Sequence, residues 1–285
     1  MASTSHNDLE RSPVAIGGLG GSGTRVVAQL FRDAGFYIGA DINRMNDNLW
    51  AVLLFNWTHI LEVSDQEFQE ISALFFQRMR GEIPSPDSAT ARSVARLARR
   101  AHDQFEPGWL EARAATFMNP QFPGSGSRRW GWKCPPIHTV VDRLLGWDTE
   151  LLYVHVVRHG LDMAYSSNKN QLNYWGAAVL GRDIAQTPSD ALAYWCRVER
   201  QVRLVADRYP DRVFILDFDR FCDDPAKWGG RLLRYCGLPD ADAAAAGFAN
   251  QVKPLASRGR FRRFGIESFD SKEMEFVASC GYAVT

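Results

Sequence analysis

Val14-Ala-Ile-Gly-Gly-Leu-Gly-Gly-Ser-Gly-Thr-Arg25 runs from a short apolar segment through a glycine-rich turn into the amphipathic run Val26 to Ala34. This order predicts a strand, a loop and a helix. Glycines let the backbone come close to an anion, and the N–H groups at a helix start carry partial positive charge. A phosphate or sulfate group is therefore the natural guest. Ser22 and Thr24 add hydroxyl donors.

Two nucleotide patterns overlap in this loop. Gly18-x-Gly20-x-x-Gly23 is the dinucleotide fingerprint, and Asp41, after the next apolar run, would then take a ribose hydroxyl. That reading gives an NAD(P)-dependent oxidoreductase. Gly18-x-x-x-x-Gly23 is also a P-loop, but Thr24 stands at the phosphate lysine and Arg25 at the Mg²⁺-binding hydroxyl. Such a loop suits a nucleotide that has no γ-phosphate and is used without Mg²⁺. A tight glycine turn without a ligand is the third reading.

Composition limits what surrounds the loop. At 285 residues, 46% hydrophobic and 23% charged, the chain buries a full core and fits one α/β domain, with or without a helical insertion. The formal net charge is +0, so no general basic field draws in nucleic acid or an anionic membrane. Any anion site must be local. No run reaches the roughly 18 apolar residues of a membrane span, and Met1 to Arg11 is polar, so a soluble cytoplasmic protein is expected. Cys134, Cys196, Cys222, Cys236 and Cys280 form neither C-x-x-C nor a Cys/His cluster, so reduced, mostly buried thiols and no metal site are expected. Of the nine tryptophans, Trp50, Trp57, Trp130, Trp132, Trp175 and Trp195 are candidates for an aromatic-lined pocket; most should be core.

Further along, Phe36-Tyr-Ile38 reads as a short second strand, followed by the polar loop Gly39 to Asn48. Asp47 or Asn48 would cap a helix from Leu49. Trp50 to Phe117 is helical throughout, with breaks at Gly81 to Pro86 and Pro107-Gly108. It reads as a helical insertion whose Arg92 to Arg100 face is solvated. In Trp130-Gly-Trp-Lys133-Cys-Pro-Pro136 the prolines stop a strand, so Lys133 lies near its end and within reach of the anion in the glycine loop.

Leu151 to Val157 is the clearest buried strand. If a helix begins at about Gly160, Asp162 and Ser166 share one face with Arg158 at its mouth, Arg158 and Ser166 as phosphate ligands and Asp162 orienting the arginine. Tyr165 and Lys169 spell the Y-x-x-x-K pair of short-chain dehydrogenases, but the rest of that pattern is missing. A long helix over Ser189 to Arg208, a strand Val213 to Leu216 and a helix ending near Gly237-Leu-Pro239 complete a parallel, doubly wound sheet. Lys253, Arg258, Arg260, Arg262 and Arg263, interleaved with Phe261 and Phe264, form a basic lid over about 253–265.

Taken in order, these segments resemble the sulfotransferase family that uses 3′-phosphoadenosine 5′-phosphosulfate (PAPS). The matches are Gly21-Ser22-Gly23-Thr24 after a strand, Lys133-Cys-Pro, Arg158 to Ser166 after a core strand, Phe218 to Pro225 with Gly237-Leu-Pro239, and Arg258-Gly259. The resemblance implies a P-loop-like α/β fold, a single domain over 1–285 with an insertion at about 50–117, and PAPS as co-substrate without a metal. It also implies that Ser22, Gly23 and Thr24 hold the 5′-phosphosulfate and that Arg158 and Ser166 hold the 3′-phosphate. Arg258 and Gly259 would close over that phosphate, and Lys133 would stabilise the bridging oxygen as the S–O bond breaks. Transfer would be in line to an acceptor hydroxyl or amine.

Two departures from the family pattern concern the site. Gly21 stands where a lysine or arginine is usual, leaving Arg25 or Lys133 to supply that charge, and Pro135 stands where cytosolic members place a histidine base. His138 and Asp47 are the candidate bases. The acceptor, a small molecule or carbohydrate, is expected between the insertion and Asn170 to Ile184.

Overall fold

The computed structural model describes residues 12–285 except Pro84, Pro86, Asp87 and Asp103. The polar opening Met1 to Arg11 and part of the Gly81 to Pro86 break therefore lie outside the described residues. Four strands form a parallel sheet: β1 (Val14–Gly18), β2 (Gly131–Lys133), β3 (Leu152–Val157) and β4 (Val213–Asp217), in the order β2-β1-β3-β4. Ile16 of β1 lies opposite Lys133 on one side and Val154 on the other. The chain thus leaves β1 toward one edge and returns to its other side, which opens a crevice at the carboxyl ends of β1 and β3.

The doubly wound arrangement follows from the period-two alternation of the strands. Val14, Ile16, Leu152, Val154 and Val156 face the helices α1 (Thr24–Asp33), α11 (Pro225–Tyr235) and α12 (Ala241–Ala249) through Val27, Phe31, Leu232 and Phe248. Ala15, Tyr153 and Val157 face the opposite layer, where α9 (Pro188–Arg208) contributes Leu192, Val198, Val202 and Val205. Every residue of β3 is buried.

Between β1 and β2 the chain forms α2 (Leu49–Phe55), α3 (Asp65–Arg80), α4 (Ala89–Ala98) and α5 (Pro107–Met118). Pro107 begins α5 instead of interrupting a helix, because the first helical position needs no N–H donor. The helices pack through edge-on aromatic contacts: Phe75 on Trp132 at 5.0 Å, Phe76 on Trp147 at 5.0 Å and Phe76 on Trp130 at 5.4 Å between ring centroids. Trp50, Trp130, Trp132 and Trp195 are consequently core residues. On the arginine face, Arg96 pairs with Glu67 at the surface as expected. Arg100 instead folds over the Trp57 ring and donates to the Leu53 carbonyl, and burial pushes its guanidinium down to about 9.

Two other expectations change. Phe36 to Ile38 is not a strand: Tyr37 alone bridges Trp130, its N–H donating to the Arg129 carbonyl at 2.8 Å. The helix after Arg158, α7 (Gly160–Ala164), is a single turn, so Ser166 lies beyond it and does not share a helical face with Asp162. The five cysteines are free thiols, three of them buried.

Candidate active site

A cavity of about 920 Å³ opens at the carboxyl ends of the strands. The glycine loop forms its floor. Gly23, at φ 104°, is the N-cap of α1 and offers no side-chain cap; its carbonyl accepts from the Val26 and Val27 N–H groups, which leaves the amides of Thr24 and Arg25 to a ligand. The ring of Phe218, the first residue after β4, lies directly under Gly23, where a Cβ would come within 2.4 Å of it. Gly21, Gly23, Thr24 and Arg25 line the cavity. Ser22 does not: its Oγ is buried behind the loop without a hydrogen-bond partner.

Lys133 ends β2 because Cys134, held extended ahead of Pro135, turns the chain into a 3₁₀ segment, Pro135–Thr139. Its side chain is 4% exposed, and Nζ donates to Asp47 Oδ1 at 2.7 Å and to the Met45 carbonyl at 2.9 Å. The loop that brings Asp47 here is tied at both ends. Asn48 N donates to the Lys133 carbonyl at 2.8 Å. Asn46, in the left-handed region at φ 62°, donates to the Arg25 carbonyl and to Gln29 Oε1 and accepts from Arg32. Asn48, not Asp47, caps α2, accepting from Ala51 N at 2.9 Å. Asp47 is thereby left facing the cavity, its Oδ2 accepting from Asn43 at 2.8 Å.

Arg158 follows β3 and borders the same cavity. Its Nη2 donates to Ser257 Oγ at 2.6 Å, while Nε is buried and unpartnered. Burial lowers its pKa, and the carboxylates of Asp219 and Asp162 oppose that shift. Asp162 does not bond the arginine. It accepts from the Gly259 and Phe261 N–H groups and so fastens the basic tail to α7.

The other residues singled out from the sequence sit elsewhere. Ser166 Oγ accepts from Asn168 N at 3.2 Å and is not on the cavity wall. Arg258 pairs with Asp223 at 2.7 Å and with the Asp219 carbonyl, and the Gly259 N–H is occupied by Asp162, so neither is presented to the cavity. His138 is fully buried behind Gln171, whose Oε1 its Nε2 meets at 3.1 Å; burial pushes its pKa down to about 3. Asp41 is bound to Arg113 at 3.0 Å and to Thr116, away from the cavity, so the partner that a dinucleotide ribose would need is engaged elsewhere. Tyr165 donates to the Gly265 carbonyl and Lys169 to that of Ala164, so they form no pair.

The cavity also takes residues that the sequence did not mark. Gln171, Trp109, Phe105 and Gln104 line it, with Trp175 the only expected tryptophan among the described lining residues. Trp109 stands beside a Pro-Gly helix start, the one local sign that its ring faces outward.

The sequence profile of the sulfotransferase family matches residues 13–242. This chain belongs to the sulfotransferase family. The sulfotransferase domain from the curacin biosynthetic pathway is 12% identical, with a TM-score of 0.53 over 96% of this chain and 99% of that one. The sulfotransferase domain of the Synechococcus PCC 7002 olefin synthase is 13% identical, with a TM-score of 0.51 over 97% of each chain. Both likenesses are of fold. A comparison with curated proteins found no significant match. The sheet of this sulfotransferase, parallel and covered by helices on both faces, agrees with its membership. No described helix of it is long and apolar enough to cross a membrane.

Proposed function

We propose that this sulfotransferase moves the sulfuryl group of PAPS in line to a hydroxyl or amine of a small-molecule or carbohydrate acceptor. One domain would carry the reaction, with the 50–117 insertion as acceptor wall and the 253–265 tail as lid. The observation that carries the reading is that the glycine loop, Arg158 and the Lys133–Asp47 pair border one cavity. The α1 amides and Arg25 would hold the phosphosulfate, and Arg158, with its unpartnered Nε, the 3′-phosphate.

PAPS supplies an activated sulfuryl group whose leaving group is a phosphate. Lys133 neutralises charge growing on the bridging oxygen, and Asp47 takes the acceptor's proton. At about 920 Å³ the cavity is near the upper end of the roughly 300–1,000 Å³ usual for ligand pockets, which leaves room for donor and acceptor together.

The test is thermal denaturation with EDTA present, comparing 3′-phosphoadenosine 5′-phosphate with NAD⁺, NADP⁺ and ATP. A ligand at about 100 times its Kd stabilises by about 2.7 kcal/mol. The bisphosphate alone should raise the midpoint. Arg158→Ala should abolish the shift and Arg258→Ala should keep most of it, because Arg258 is already paired. A shift with NAD⁺ instead would overturn the proposal.

A further inference from the structure

The Lys133 ammonium is clasped by the two neighbours of Asn46. Nζ donates to the Met45 carbonyl at 2.9 Å and to Asp47 Oδ1 at 2.7 Å. A backbone carbonyl and a side chain two residues on converge on one point because Asn46 turns the chain through the left-handed region, at φ 62°. Asn43 makes the clasp a single unit. Its Oδ1 accepts from the Met45 and Asp47 N–H groups, at 2.8 and 2.9 Å, and its Nδ2 donates to Asp47 Oδ2. For this turn alone glycine at position 46 would serve.

The Asn46 side chain goes beyond the turn. It is 5% exposed and lies against α1, donating to the Arg25 carbonyl at 3.3 Å and to Gln29 Oε1 at 3.2 Å, and accepting from Arg32 at 2.9 Å. Residues 25, 29 and 32 share one face of α1. An exposed contact of Arg25 Nη1 with Met45 Sδ, at 3.6 Å, is a weaker tie beside it. The helix so gripped is the one whose opening amides, at Thr24 and Arg25, are left to a ligand.

Resting on the reading above, we infer that Asn46 is a positioning residue: it sets the Lys133 ammonium at a fixed place relative to the phosphosulfate cradle at the start of α1. Strand pairing places the Lys133 backbone beside β1, but the flexible four-carbon stem leaves Nζ free until something holds it. The clasp holds it, and Asn46 references the clasp to α1. Asn46 is not on the cavity wall, so its effect passes through Lys133 and Asp47. In-line transfer is sensitive to such placement: an error of about 1 Å costs up to about 10²-fold in rate.

The test is competitive labelling of the full chain with acetic anhydride, read lysine by lysine by mass spectrometry. Lys227, exposed near the start of α11, is the internal reference. Asn46→Gly keeps the turn and removes the side chain. In it Lys133 should be acetylated about tenfold faster relative to Lys227 than in the parent chain, the order expected when hydrogen bonds are lost from a local opening. Half-buried Lys169 should not change. Release of labelled sulfate from PAPS to water in a single turnover should slow by about ten- to a hundredfold, with bisphosphate affinity unchanged.

Gln29→Ala with Arg32→Ala loosens the same tie from the helix side and should expose Lys133 likewise. Adding Asn46→Gly to that pair should then change little, because all three act as one unit. If Asn46→Gly does not fold, the helix-side variant carries the test. Unchanged Lys133 labelling, a rise that Lys169 shares, or full additivity overturns the inference. If the bisphosphate fails to bind the parent chain, the proposed donor is wrong, and the labelling still decides whether Asn46 fixes the ammonium.

Discussion

Lys133 and Asp47, 86 residues apart, meet at 2.7 Å where β2 ends, and the lysine is the more deeply buried of the two. The pair joins a strand end to the loop that also grips α1 through Asn46, so the ammonium is fixed before any substrate arrives. Preorganised charge of this kind acts without reorganisation during the reaction.

Lys133→Ala should therefore lower kcat by about 10²- to 10³-fold, the usual loss when one transition-state donor is removed, while the bisphosphate still protects against thermal unfolding. The measurement is single-turnover transfer of labelled sulfate. A drop confined to KM would mean that Lys133 binds the ground state and nothing more.

Gly23→Ala should destabilise the fold. The added methyl meets the Phe218 ring, and the residue is left in the left-handed region, which costs about 1–2 kcal/mol by itself. Gly20→Ala meets only the Asn168 side-chain amide, at 3.2 Å, and its φ is not positive, so the thermal midpoint should hardly move. Equal midpoints for the two variants would show that Phe218 does not brace the loop.

His138 makes stability depend on pH. In the folded protein its imidazole stays neutral down to about pH 3, because burial opposes the charge; in the unfolded chain it takes a proton below about 6.5. Between these values the unfolded state binds more protons, so stability is full above pH 6.5 and falls as the pH drops, by up to about 1.4 kcal/mol per unit from this one group. Denaturant unfolding at pH 6.5 and pH 4.5 should show a smaller loss for His138→Gln than for the parent chain. The same loss in both would assign the acid sensitivity to other groups.

The sequence reveals most where one short stretch decides the structure. Leu152–Val157 is apolar apart from His155 and can only be an interior strand, and the glycine loop announces itself by residues that must turn tightly. It reveals least where the deciding partner is distant. Asp47 and Asn48 are equally good caps in isolation; only Lys133 draws the carboxylate away. Arg258 looks like a free cation until Asp219 and Asp223 fold against it. Trp132 and Trp175 are alike as letters, yet one packs under Phe75 and the other borders the cavity. Tyr37 had too short a partner strand to become more than a bridge.

Gln171 lies on the cavity wall with its amide nitrogen fixed on the Gly18 carbonyl at 3.0 Å and its oxygen turned to His138. Because that oxygen can only accept, the imidazole must carry its hydrogen on Nε2, leaving Nδ1 bare. One amide on the wall thus dictates the tautomer of a ring that no substrate touches. The ring's ¹⁵N chemical shifts then report, from inside the core, whether a guest has turned that amide over.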